Sequence, residues 1–345
     1  MRDQSASSDI DPPANDRVAH WDRAATFGLP CLVAVLAALY AWQTQRSPPH
    51  LLIDFDQNYA AARFLREGRD PYQLIGPGKA FEWQWPLFYP LTTAVFAMPF
   101  TLLPMWLAPI VLAGLGAGAF TIAVQRSAQR GRWRYLVFLS KPFLVAVVTG
   151  QASCLLASAF VLAPMASLAA IKPNIGAAIV LARADRRGII AALIGGAVLL
   201  GISLIMRPEW IAEWLAAVRS DPFRLPAIAR PGGFLLILAL LRWRRPEARL
   251  VLALSLVPQT LFIYDALPLF FVPRRASEAF ALVVLSHFAF LMALNQPNVP
   301  DTNSQIVVVG NWIVACLFLP CLAMVLLRRN ETGLLTIDEQ GPSTS

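Results

Sequence analysis

Residues 87–125 read LFYPLTTAVFAMPFTLLPMWLAPIVLAGLGAGAFTIAVQ, without a single charged side chain. At 1.5 Å per residue the stretch reaches about 58 Å, nearly two crossings of a hydrocarbon core about 30 Å thick. Its flanks say otherwise. The preceding loop, 45–86, balances five basic against five acidic side chains, whereas Arg126 to Arg134 holds four arginines and no acid. Arginine excess marks cytosolic loops, so the two flanks lie on opposite sides and parity demands one crossing. Pro90, Pro99 and Pro104 break the first half. Residues 86–103 are therefore expected to be interfacial or re-entrant, and 105–125 to be the span.

The rest of the chain extends this pattern. Of its 345 residues 57% are hydrophobic and 14% charged, against about 25% charged in soluble domains. Mean hydropathy is +0.55, which excludes a water-soluble globule and a disordered chain. The predicted fold class is all-α: a polytopic transmembrane helical bundle of about 9–11 spanning or half-spanning helices, with short interfacial helices on the external first loop. The net charge is +8, yet lysines occur only at 79, 141 and 172 and the remaining basic residues are arginines in short interhelical clusters. That arrangement argues against nucleic acid as a partner and for positive-inside loops.

Residues 1–24 read as a disordered cytosolic tail, and the first helix as Thr26 to Gln43, an uncleaved anchor. Residues 25–327 form one transmembrane domain, with 45–103 as its external catalytic loop and interfacial segment. Residues 189–206 cross outward. Trp210 and Trp214, four apart beside Glu209 and Glu213, suit a helix lying in the interface. Residues 232–241 make a short return, and 250–273 go out and back or form a broken pair of half-helices. Residues 276–293 and 306–326 make a last hairpin, and 328–345 a second cytosolic tail. Cys31, Cys154, Cys316 and Cys321 lie in apolar runs without metal spacing and read as small buried hydrophobes.

The candidate chemistry begins in the external loop, at Asp54-Phe55-Asp56-Gln57-Asn58-Tyr59. Two carboxylates at a membrane surface are candidates for general-base catalysis; the competing reading is that either caps the helix after it. Asp70-Pro71-Tyr72 reads as a turn with an interfacial tyrosine. Trp83, Trp85, Phe88 and Tyr89 form an aromatic cluster: a belt, a sugar platform or a lipid groove. Lys172 sits deep in an apolar run, where an ammonium is costly unless paired or wet, and Asp265 needs a partner by the same argument. Lys141 is close enough to its loop to snorkel. His287, alone on its helix, fits a structural role, and Gln151 places an amide in the membrane.

The run Asp54-Phe55-x-x-x-Tyr59-x-Ala61-Ala62-Arg63, then Gly68, Asp70-Pro71-Tyr72, Tyr89-Pro90, Ala94 and Pro99 to Pro104, resembles glycosyltransferase family 87. Gly150-Gln151, Lys172-Pro173 and Tyr264-Asp265 follow in the family's order, so the resemblance covers about residues 50–275. It implies the GT-C architecture and an integral membrane hexosyltransferase. The donor would be a polyprenyl-phosphate sugar, mannose above all, and the acceptor a cell-envelope glycolipid or polysaccharide. No cofactor or metal is expected; membrane lipids are the other partners. The implied base is Asp54, with Asp56 as its catalytic neighbour. Lys172, Arg63 and His287 would face the donor phosphate, and Asp70, Tyr72, Tyr89, Gln151, Tyr264 and Asp265 the substrates. The expected location is the inner or plasma membrane, with both termini cytosolic and the catalytic loop extracytoplasmic.

Two departures stand out. The family's Tyr-Pro-Pro is Tyr89-Pro90-Leu91 here, and Gln151 to Lys172 spans only about 30 Å as helix, enough for one crossing rather than the family's two. One crossing would put Gln151 and Lys172 at opposite ends. Two other readings therefore stand beside the enzyme. One is a lipid or small-solute transporter or flippase using Lys172 and Asp265 as intramembrane charges; the other is a degenerate, non-catalytic subunit that keeps the scaffold.

Overall fold

The computed structural model describes residues 14–45, 53–220, 225–258, 262–295 and 302–328. Most of the two expected tails and the centre of the 294–305 loop lie outside the described residues. The chain is an all-α polytopic bundle. Five helical stretches among the described residues are long and apolar enough to cross a membrane: Thr26–Gln45, Ala108–Arg126, Arg186–Met206, Ala276–Leu294 and Val307–Leu327. The one strand pairing described joins Ile75–Gly76 to Phe81–Glu82.

Helix α1, Ala14–Gln45, starts earlier than the sequence reading placed it, so residues 14–24 are helix rather than tail. No glycine or proline interrupts the run from Ala14 to Phe27, which lets the span's helix continue towards the N-terminus. Two further helices precede the first long internal span: α2, Asp54–Arg66, and the single turn α3, Pro71–Leu74. Residues 86–103 are broken as expected, into α4, Leu91–Ala97, and a 3₁₀ turn, Met98–Leu102. The true span is α5, Ala108–Arg126, which packs on α1. There Gly114 lets backbones approach: a Cβ would lie 3.3 Å from the Ala34 carbonyl oxygen. At the core Phe120 is fully buried, its ring 6.1 Å from Phe143 and 5.6 Å from Phe271.

The stretch from Gln151 to Lys172 departs from the single crossing. Helix α6, Lys141–Val148, is followed by α7, Ser153–Ser158, and a 3₁₀ helix, Ala163–Ile171. Two short elements thus replace one long one, and the chain returns towards the end it left. Alanine-rich 3₁₀ helix rises about 2.0 Å per residue, so nine residues cover the return. Arg183 satisfies the turn, its Nη1 donating to the carbonyls of Ala159 and Phe160 at 3.3 and 3.2 Å. The hydroxyls of Thr92 and Thr93 on α4 donate to the Ala170 and Ile171 carbonyls, which the helix end leaves open.

Helix α8, Pro173–Arg183, leads to α9, Arg186–Met206, whose Leu193 and Ile194 are mostly exposed and form an apolar outer face. The segment of Trp210 and Trp214 is helical, as α10, Trp210–Arg219. Beyond a 3₁₀ segment, Gly233–Arg242, the stretch expected either to go out and back or to form two half-helices is built of α11, Pro246–Leu256, and a 3₁₀ helix, Ile263–Phe271. The closing hairpin is α12, Ala276–Leu294, against α13, Thr302–Ile313, and α14, Leu319–Leu327.

The arginine loops converge at one end. Arg249 donates to the Ala182 carbonyl at 2.8 Å, Arg274 to the Ala128 carbonyl and to Glu247, and Arg328 to Glu278. The 45–103 segment is anchored elsewhere. Arg207, capping α9, reaches Asp70 at 2.7 Å and Glu213 on α10, while Trp214 Nε1 donates to the Phe88 carbonyl at 2.9 Å.

Candidate active site

Asp54 is the first residue of α2 and Asp56 the third. Asp56 Oδ2 accepts from the Ile53 N–H at 2.8 Å, so the capping role falls to Asp56 and Asp54 is released from it. Burial pushes the Asp56 carboxyl up to about 6; the Ile53 N–H pulls the other way and the Asp54 charge adds to the rise. Asp56 does not line the cavity described below, which corrects its assignment as a catalytic group.

Two distant residues hold the Asp54 carboxylate. Gln151 Nε2 and the Tyr264 hydroxyl each donate to Oδ2 at 2.8 Å. Oδ1 accepts from no described residue. Gln151 reaches its place because Gly150, at φ +61°, ends α6 with a sharp turn. A Cβ at Gly150 would lie 2.9 Å from the Cβ atoms of both Phe55 and Pro109. Gln151 Nε2 also lies 3.2 Å from the Tyr89 hydroxyl. Tyr264 is set by Ile263–Phe271, its ring stacked on Phe262 at 5.4 Å.

Lys172 Nζ meets Asp265 Oδ1 at 2.6 Å and lies 5.0 Å from the centre of the Tyr264 ring. Each intramembrane charge thus meets the other's need for a partner. Asp265 Oδ2 is buried and has no hydrogen-bond partner among the described residues. The short return from α7 brings Gln151 and Lys172 together against Tyr89, in a pocket the sequence reading had divided.

These groups open onto a cavity of about 800 Å³. Asp54, Tyr89, Lys172 and Tyr264 line it, with Gln57, Trp83 and Trp85. It continues as an apolar seam between α8 and α11, past Ala178, Leu181, Leu252 and Leu256, and ends at Arg249. Trp214 and Val218 of α10 close one side. The shape combines a polar chamber with a greasy slot.

Other expected site residues lie apart from the cavity. Arg63 is largely exposed and pairs with Glu67 at 3.2 Å, one turn along α2. His287 Nε2 contacts the Leu139 carbonyl at 2.8 Å. Neither lines the cavity, because each faces away on its own helix, so both are corrected as phosphate ligands. Asp70 caps α3 through the Tyr72 N–H at 2.9 Å and binds Arg207. Burial holds Asp70 above the usual carboxylate range despite that arginine, which pulls Glu213 below it. The Tyr72 hydroxyl donates to the Tyr89 carbonyl at 3.1 Å. Asp70 and Tyr72 thus brace the wall rather than line it.

Gln57, Asn174 and Arg249 line the cavity and were not singled out in the sequence. Gln57 follows Asp54 by three positions, on one helical face, and that spacing was the available signal. Among the described residues no three His, Cys, Asp or Glu side chains converge as a metal site.

The sequence profile described as glycosyltransferase family 87 matches residues 87–297. No curated protein matches the chain, and no solved structure does.

Proposed function

The chain belongs to glycosyltransferase family 87 and is a membrane glycosyltransferase, and we propose that it moves mannose from a polyprenyl-phosphate donor to a cell-envelope glycolipid or polysaccharide, with Asp54 as general base. The observation that carries this reading is the two-sided cavity: a carboxylate fixed through Oδ2, its Oδ1 unclaimed, at the head of an apolar seam. A long isoprenoid enters sideways between α8 and α11, placing its phosphate beside Lys172. The first-turn N–H groups of α8 add positive potential at the same spot.

Asp54 Oδ1 takes the proton from an acceptor hydroxyl as its oxygen attacks the anomeric carbon. A new glycosidic C–O bond forms. The bond from that carbon to the phosphate oxygen breaks, and the electron pair leaves with the polyprenyl phosphate. Lys172 and the α8 N-terminus stabilise the charge released there. The leaving group is a stable anion, and Asp54 returns its proton to water.

The protein is placed in the plasma membrane, with the arginine-rich end cytosolic. The convergence of Arg183, Arg249, Arg274 and Arg328 at one end supports this orientation. The test is thin-layer analysis of purified protein incubated with radiolabelled polyprenyl-phosphate mannose and envelope lipids. Asp54→Asn abolishes transfer while the protein keeps its wild-type expression; retained transfer removes Asp54 from the mechanism.

A further inference from the structure

Gln57 sits one turn beyond Asp54 on α2, on the same face, and both line the cavity. It is only 6% exposed. Its carboxamide has no partner among the described residues, yet it is not sealed off, so its open surface faces the cavity. A buried amide left unpaired is costly, and natural interiors seldom keep one. Trp83 and Trp85 line the same cavity and supply flat apolar surface to it. Phosphate chemistry is centred elsewhere, at Lys172 and the start of α8.

We propose that Gln57 is the acceptor-reading residue: its amide holds a second hydroxyl of a sugar acceptor whose reacting hydroxyl lies on Asp54 Oδ1. This inference rests on Asp54 acting as the base. The group next to the base must touch the acceptor, because the proton comes from the acceptor oxygen and the donor's anomeric carbon lies beyond it. A carboxamide offers both a donor and an acceptor, which matches a hydroxyl that also does both. A simple alcohol would leave the amide unpaired, and sites built to bond a substrate hydroxyl reject analogues that lack it. The substrate class implied is a polyol ring, not an aliphatic alcohol or a serine side chain.

The experiment uses full-length protein in nanodiscs, with radiolabelled polyprenyl-phosphate mannose as donor and hexyl α-mannopyranoside or 1-hexanol as acceptor probes. Transfer is measured for wild type, Gln57→Met, Gln57→Glu and Asp54→Asn. Saturation-transfer NMR reads hexyl mannoside binding without turnover, and thermal unfolding confirms that each variant is folded. The expected result is transfer to the mannoside and not to hexanol. Gln57→Met raises the mannoside KM about tenfold or more, leaves the donor KM within about twofold, and loses ring-proton saturation. Gln57→Glu, which still accepts a hydrogen bond, falls between. An unchanged mannoside KM and saturation pattern in folded Gln57→Met overturns the inference, as does a rise in donor KM alone. Hexanol serving as well as the mannoside overturns it too. The base is judged separately: if Asp54→Asn still transfers while Gln57→Met shows the KM rise, the acceptor contact stands and the base reading falls.

Discussion

The Tyr264 hydroxyl donates to Asp54 Oδ2 at 2.8 Å, joining residues 210 positions apart in the chain. Gln151 completes the grip on the same oxygen. Both donors act on Oδ2, so the carboxylate is oriented while Oδ1 stays open to a substrate. For the base proposed above, orientation by groups that do not themselves react gives so distant a pair a role.

Removing one of these donors leaves the base present but poorly aimed. Tyr264→Phe and Gln151→Leu each lose a hydrogen bond to a charged acceptor, worth about 1.5–3 kcal/mol. If that appears in the transition state, kcat falls about tenfold to hundredfold. Steady-state transfer assays check this, and an unchanged kcat in both variants would show that the grip is only structural.

In the Lys172–Asp265 pair the carboxylate is buried and the lysine largely so, their side chains 1% and 15% exposed. Breaking such a pair by removing one partner costs about 3–5 kcal/mol, because the other charge is stranded. Asp265→Asn and Lys172→Met are each expected to lower the thermal unfolding temperature sharply. The double variant recovers much of the loss in a double-mutant cycle yet stays inactive, since no cation then faces the leaving phosphate.

Gly150→Ala carries two penalties: a left-handed φ of +61° and a Cβ 2.9 Å from Phe55 and Pro109. It is expected to destabilise by about 1–3 kcal/mol and to lower kcat by shifting Gln151. Gly201→Ala is the matched control. It lies inside α9 with nothing within 4 Å of a new Cβ, and should be neutral or slightly stabilising. Thermal melts of the two variants separate backbone strain from a general sensitivity to alanine.

Asp56 supplies a pH-dependent stability. Its folded carboxyl is raised from 3.8 to about 6, so the protonated form is favoured in the native state. The stabilising contribution is complete below about pH 4 and is lost as pH rises through about 6. The span amounts to at most about 3 kcal/mol at about 1.4 kcal/mol per unit. Asp56→Asn, whose amide oxygen still accepts from Ile53, should flatten the melting temperature between pH 4 and 6 and retain transfer. A wild-type slope in that variant assigns the effect to another group.

Much of the architecture was legible in the chain. The uncharged run 87–125, the three prolines of its first half and the arginines after it sufficed to break 86–103 and to expect a span at 105–125, which the structure forms as Ala108–Arg126. The break in 250–273 near Tyr264-Asp265, one of two readings, and a helix bearing Trp210 and Trp214 were readable from length and spacing. These are one-dimensional facts, set by how much apolar length a bilayer requires. The resemblance in short motifs pointed to Asp54, Gln151, Lys172 and Tyr264 without saying how they meet.

Composition and charge order alone marked this chain as a membrane protein and showed which residues were too costly to be there idly. Only the folded chain decided that Asp56 caps while Asp54 is free, that Lys172 is spoken for by Asp265, that Arg63 and His287 look elsewhere, and that Gln57 faces the chamber. The reason is physical: crossing a bilayer depends on local length and hydropathy, whereas a carboxylate's role depends on which donors reach it, and those arrive from residues far along the sequence through turns as short as the one at Gly150.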